Sequence, residues 1–188
     1  NHEPFNVPVN VNKNRKDETD DFLNSASYSD LALGKFIADC MKKKWYSNTL
    51  FVIVADHGHI LPGYSAAYDK ERFHIPLLLF GDVVNMDTIL TFPASQTDIA
   101  KTILNQLEIK SDSYRFSSDL FNPSYNPHAF YLYKNGFGML DRNNQVIIDN
   151  NTRKIVEYMG DSSKSIIKTA KQMMQWTYDD FIKIEFTN

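Results

Sequence analysis

Asp56-His57-Gly58-His59 concentrates more chemistry than any other four residues of this chain. An aspartate offers a hard anionic oxygen and a histidine a neutral nitrogen, and both are ligands for zinc or manganese. Gly58 leaves room for the backbone to come close to a metal ion or a phosphate. His2, His59 and His74 are further nitrogen donors able to converge on such a site. The competing reading is a turn in which Asp56 and His57 only hydrogen-bond the backbone, and Asp-His-Gly by itself leaves the two readings level. The apolar run before it and the extra histidines favour a metal site. His74 directly precedes Ile75-Pro76 and a second apolar run, which places it near the end of the first. Each histidine taken alone reads more readily as structural than as a ligand. His128, in a proline-rich loop, reads as exposed. Cys40 reads as a core residue, and a single cysteine builds neither an internal disulfide nor a Cys-based zinc site. Neither a glycine-rich phosphate loop nor a Gly-x-Ser-x-Gly nucleophile elbow occurs in the chain.

The elements that position these residues follow from periodicity. Leu50–Ala55 is a continuous apolar run of strand length, the pattern of a strand buried on both faces in a parallel sheet covered by helices. Asp56 follows at its carboxyl end, where open α/β sheets bind ligands. Ile75–Phe80 is a second such run. Burial of Val52, Val54, Leu77 and Leu79 is expected to hold the sheet. Leu33, Phe36, Ile37, Cys40 and Met41 mark one face of a helix over 28–44, with Ser27 or Ser29 as cap and Lys42, Lys43 and Lys44 at the negative end of its dipole. Ile99, Ala100, Ile103, Leu104 and Leu107 mark a second helix over 95–107, opened by Ser95 and Asp98 as a capping box. Residues 1–27 read as extended loop.

Beyond residue 110 the texture changes. Residues 111–127 are a Ser-, Asn- and Pro-rich loop. Short strands are expected at 130–133, 136–140, 146–149 and 154–158, with Asn143-Asn144 as a hairpin turn. A long helix from Ser163 to about Ile184 closes the chain, with Ile166, Ile167, Ala170, Met173, Met174 and Thr177 on one face. The fold class is therefore α/β: part of a mostly parallel sheet covered by helices over 1–110, then a small antiparallel sheet with a long helix over 111–188.

Composition narrows the function classes. The chain has 188 residues, 43% hydrophobic and 23% charged, enough to bury a core without disulfides. Twenty basic against 23 acidic residues give a net charge of −3, which argues against a nucleic-acid partner. No run approaches the roughly 20 apolar residues that span a bilayer, and no signal peptide is visible. The chain opens on Asn-His-Glu-Pro rather than Met and reads as a piece of something longer.

Four segments in order resemble the sulfatase and alkaline-phosphatase superfamily, in particular its branch of lipoteichoic acid synthase-like phosphoglycerol transferases. Phe51–His59 resembles the Asp-His-Gly segment, Asn1–Phe5 the His-x-Pro-Phe segment upstream of it, Arg72–Leu79 the strand that follows, and Ser95–Ala100 the Gln-x-Asp-Ile helix start, with Lys101 in place of the usual proline. Phe130–Asp141, with Asn135-Gly136-Phe137-Gly138, resembles the family's C-terminal sheet. The resemblance implies that Asp56 and His57 bind a divalent cation, zinc or manganese before magnesium or calcium. It implies that His2 and His74, and more weakly His59, contact the phosphate or sulfate group or a second metal. It also implies an acidic metal ligand and a Thr, Ser or formylglycine nucleophile upstream, which Thr49, Thr97 and Cys40 do not match. The expected activity is cleavage or transfer of a sulfate or phosphate ester, with a lipid headgroup or glycan among the substrates, by an enzyme on the extracytoplasmic face of the membrane or in the periplasm. Its membrane anchor would lie in the upstream segment. Residues 1–188 alone are expected to be inactive. The alternative is a non-catalytic binding module that keeps Asp56-His57 as fold residues.

Overall fold

The computed structural model describes residues 2–12, 14–63, 65–161 and 165–186, with side chains through 184. The chain forms two compact units, Asn1–Thr88 and Ile89–Asn188.

The first unit holds helix α1 (Glu18–Cys40) and strands β1 (Phe51–Val54) and β2 (Leu77–Phe80). Helix α1 starts ten residues before the expected Tyr28. Asp17 is its cap, accepting from the Asp20 N–H, and Glu18, Asp20 and Asp21 fill a first turn where the helix dipole favours anions. Ser27 lies inside the helix, its hydroxyl donating to the Leu23 carbonyl. Fully buried Asn24 ties this early turn to the preceding segment, accepting at 2.8 Å from both the Val11 and Asn12 N–H groups. The helix ends at Cys40, so Lys42, Lys43 and Lys44 lie beyond it rather than in its last turn. Cys40 is buried as expected.

The two apolar runs are strands, but they pair antiparallel, Val52 opposite Leu79 and Val54 opposite Leu77. The expected parallel pairing needs a crossover, usually an α-helix. The 22 residues between these strands contain one short 3-10 turn, Lys70–Arg72, and among the described residues no α-helix. Val52, Leu77 and Leu79 are half-buried, whereas Val54 and Leu78 are exposed.

The second unit holds helix α2 (Asp98–Gln106), strands β3 (His128–Tyr133), β4 (Gly136–Asp141), β5 (Gln145–Asp149) and β6 (Ile155–Met159), and helix α3 (Ser165–Phe186). The strands form an antiparallel meander in sequence order, and α3 packs on it, as the alternation and the 3.6-residue period predict. The expected α3 start at Ser163 lies outside the described residues. Phe137 and Met139 on β4 face Ile148 and Val146 on β5, and Ile166 and Ala170 of α3 close over them. Each buried aliphatic side chain contributes roughly 1.5–3 kcal/mol. The Tyr131 ring lies over Gly138, its register partner, where a β-carbon would stand 2.1 Å from the ring.

Asp98 is the polar centre of this unit, 1% exposed. Its carboxylate accepts from the Ser95 N–H at 3.0 Å, the Ser118 N–H at 2.8 Å and the Tyr125 hydroxyl at 3.0 Å. Asp98 reaches back to the Ser95 N–H, but the helix starts at Asp98 with Thr97 as its cap and no side-chain cap bond, so the expected capping box is not formed in full. The other two fasten the 111–127 loop onto α2. Thr102 adds a fourth link, its hydroxyl accepting from the Leu120 N–H at 3.0 Å. Burial, and then the Asp98 charge, hold the Tyr125 phenol well above its ordinary pKa.

Candidate functional site

Strand β1 ends at Val54, and the chain turns sharply through Asp56, His57 and Gly58. Asp56 Oδ1 accepts the His57 N–H at 3.0 Å, which fixes the carboxylate against the turn. His57 Nδ1 lies 2.7 Å from the Gly58 carbonyl oxygen, which only accepts, so Nδ1 carries the proton and donates. This assigns the tautomer and leaves the Nε2 lone pair facing outward, 3.8 Å from Asp56 Oδ2. Backbone-oriented imidazoles of this kind are characteristic of metal-binding histidines. With ligand distances near 2.1 Å, one cation spans donor atoms up to about 4.2 Å apart, so the Asp56–His57 pair fits a shared ion. Both side chains are open to solvent, 91% for Asp56 and 67% for His57.

Gly58 makes this turn possible. A β-carbon there would sit 2.0 Å from the Arg72 carbonyl oxygen and 3.2 Å from Phe73 Cα. The turn therefore rests directly on the backbone that leads into His74. Gly58→Ala forces the two backbones apart. Overpacking of this kind typically costs about 1–3 kcal/mol. Gly58→Ala is expected to lower the urea midpoint accordingly and to weaken metal binding by the full-length protein, while unchanged values in both measurements would show that the contact does not hold the turn.

His59 points elsewhere. Its ring stacks on Phe22 of α1, centroids 4.9 Å apart and planes 11° from parallel, and meets Phe5 edge-on at 5.7 Å. Nδ1 accepts the Leu61 N–H at 3.0 Å, so Nε2 carries the proton and donates to Glu3 Oε1 at 3.1 Å. The other Glu3 oxygen lies 3.1 Å from His2 Nδ1. A hydrogen bond from its own backbone N–H, and then the one from His59, hold the Glu3 carboxyl below its ordinary pKa. His2 itself is 84% exposed. His74 is exposed in the segment leading into β2, and His128 is the first residue of β3. The structure thus joins Asp56 to His57, and His59 to His2 through Glu3. Among the described residues it assembles no group of three or more potential metal ligands. Sequence reasoning missed Glu3, Phe5 and Phe22. Only the His-x-Pro-Phe segment hinted at the first two.

The family model described as Sulfatase matches residues 1–109, more than half of the chain. Lipoteichoic acid synthase from Staphylococcus aureus strains USA300 and N315 is 28% identical over 176 residues, covering 78% of this chain and 27% of the relative. The chain thus spans about a quarter of the length of these curated relatives. A crystal structure of a protein in the alkaline phosphatase superfamily from Vibrio parahaemolyticus superposes with a TM-score of 0.72 at 25% identity, covering 91% of this chain and 44% of that one.

Proposed function

The chain belongs to the sulfatase family, and from that premise we propose that it is part of a metal-dependent enzyme that cleaves or transfers sulfate or phosphate esters. Similarity to proteins named lipoteichoic acid synthase favours a phosphate-bearing lipid headgroup over a sulfate ester. The observation that carries the reading is the Asp56–His57 pair, with its outward-facing nitrogen 3.8 Å from a carboxylate oxygen.

In this reading Asp56 and His57 would hold the cation, with zinc or manganese suited to the mixed oxygen and nitrogen set. A bound cation supplies charge neutralisation at the ester oxygens and lowers the pKa of a nucleophile beside it. The Gly58 carbonyl keeps the His57 ring from turning. His2 and His74 offer N–H groups to the non-bridging ester oxygens, where charge builds up in the transition state. Further metal ligands and the nucleophile are assigned to parts of the enzyme outside residues 1–188. The enzyme works on the extracytoplasmic face of the membrane or in the periplasm. No helix among the described residues is long and apolar enough to cross a membrane.

The test is turnover by the full-length protein of p-nitrophenyl sulfate, p-nitrophenyl phosphate, a p-nitrophenyl phosphodiester and a phosphoglycerol lipid. Each is run before and after chelation and after adding back zinc or manganese. Chelator-sensitive turnover, restored by the metal and absent from residues 1–188 alone, is expected. Chelator-resistant turnover overturns the metal-dependent reading, and no turnover on any substrate favours the binding module.

A further inference from the structure

We propose that His59 and Glu3 form a clamp that positions His2, and that neither touches the substrate; this rests on the assignment of His2 to the ester. His59 is fully committed where it stands. One ring face lies on Phe22, an edge meets Phe5, Nδ1 is occupied by the Leu61 N–H and Nε2–H by Glu3. Its side chain is only 21% exposed, against 67% for His57 two residues before it. Turning it toward a ligand would break both hydrogen bonds and the stack together.

What the clamp holds is a strained turn. The Phe5 N–H bonds back to the His2 carbonyl at 2.9 Å, and Phe5 adopts φ +56°, a left-handed conformation that a bulky side chain seldom takes. Such a conformation persists only where its surroundings over-determine it. Here they do: Phe5 is 2% exposed, wedged edge-on against Phe22 at 5.6 Å and against His59. The Glu3 carboxylate bridges the remaining gap, one oxygen on His59 and the other beside His2. A 56-residue separation in sequence is thereby closed by one hydrogen bond. An exposed histidine on an irregular segment would otherwise sample many orientations, and pre-organisation of such a group is what a transition-state donor requires.

The experiment uses the full-length protein. His59→Phe keeps the ring stack and removes both hydrogen bonds. It is expected to lower kcat/KM by about 10–100-fold, the usual loss when the partner of a site residue is removed, with the metal content per protein unchanged. In a His2→Ala background the same substitution is expected to change kcat/KM less than about twofold, because groups acting through one another are not additive. Glu3→Gln should behave alike, and His59→Gln, whose amide N–H can replace Nε2–H, should recover most of the loss. Equal losses with and without His2, or no loss, overturn the clamp. Hydrogen exchange of the peptide containing His2–Phe5 reads the clamp independently of turnover: His59→Phe is expected to speed it, and an unchanged rate overturns the proposal. A wild type without metal-dependent turnover but with faster exchange in the variant would sink the enzyme reading and leave the clamp standing.

Discussion

His57→Ala in the full-length protein is expected to cut turnover at least about a thousandfold, roughly 4 kcal/mol of transition-state stabilisation. The loss is large because two effects act together. The substitution removes the nitrogen donor 3.8 Å from Asp56 Oδ2, and one carboxylate is a poor ligand by itself. Asp56→Asn is expected to resemble it, since a neutral amide oxygen replaces the anionic donor. Metal content by mass spectrometry, read beside kcat at saturating metal, checks both. Full activity with stoichiometric metal in His57→Ala would remove the basis for a metal site at Asp56 and His57.

The second large effect falls on stability. Asp98→Ala is expected to destabilise the second unit by about 4 kcal/mol, because three partly buried donors lose their acceptor at roughly 1–3 kcal/mol each and water recovers part of the loss. Asp98→Asn should cost less, since one amide oxygen still accepts while the amide N–H₂ faces donors. Tyr125→Phe removes a single bond and should cost about 1 kcal/mol. Tyr125 also sets an alkaline limit. Its folded pKa is raised above the unfolded value near 10, so its contribution is complete below about pH 10 and declines as pH rises further. Urea unfolding of the three variants and of wild type, with a pH series for Tyr125→Phe, provides the check. An Asp98→Ala variant as stable as wild type would show that the carboxylate does not fasten the 111–127 loop.

The parts of the fold carried by local pattern were legible in the sequence. The hairpin at Asn143-Asn144 and the apolar face of α3 follow from alternation and helical spacing, and the four-strand meander appears where these signals stand. The start of α1 was hidden because residues 18–27 have no apolar period. That turn is stabilised by a cap, by acidic residues against the dipole and by the buried Asn24 amide, none of which requires hydrophobic spacing. Strand direction was hidden for another reason. A continuous apolar run reports burial, whereas the connection decides direction, and 55–76 reverses the chain with no crossover helix among its described residues. Within the candidate site, the contact between Asp56 and His57 was legible because the two residues are adjacent. The link from His59 to Glu3 was not, since no periodicity spans 56 residues.

The solvent-open pair at Asp56 and His57 also bears on how affinity is built. Two donors on one turn are half of a four-coordinate shell. Their hold on a cation in isolation would be no better than that of a two-donor chelator. Donors joined through the same polypeptide add no new chemistry of their own, yet they are present at an effective concentration that reaches millimolar for short connections and can raise avidity by about 10²–10⁴. If the pair holds a cation as proposed, metal affinity would become a gauge of how completely the surrounding chain has closed, and it would report assembly as well as chemistry.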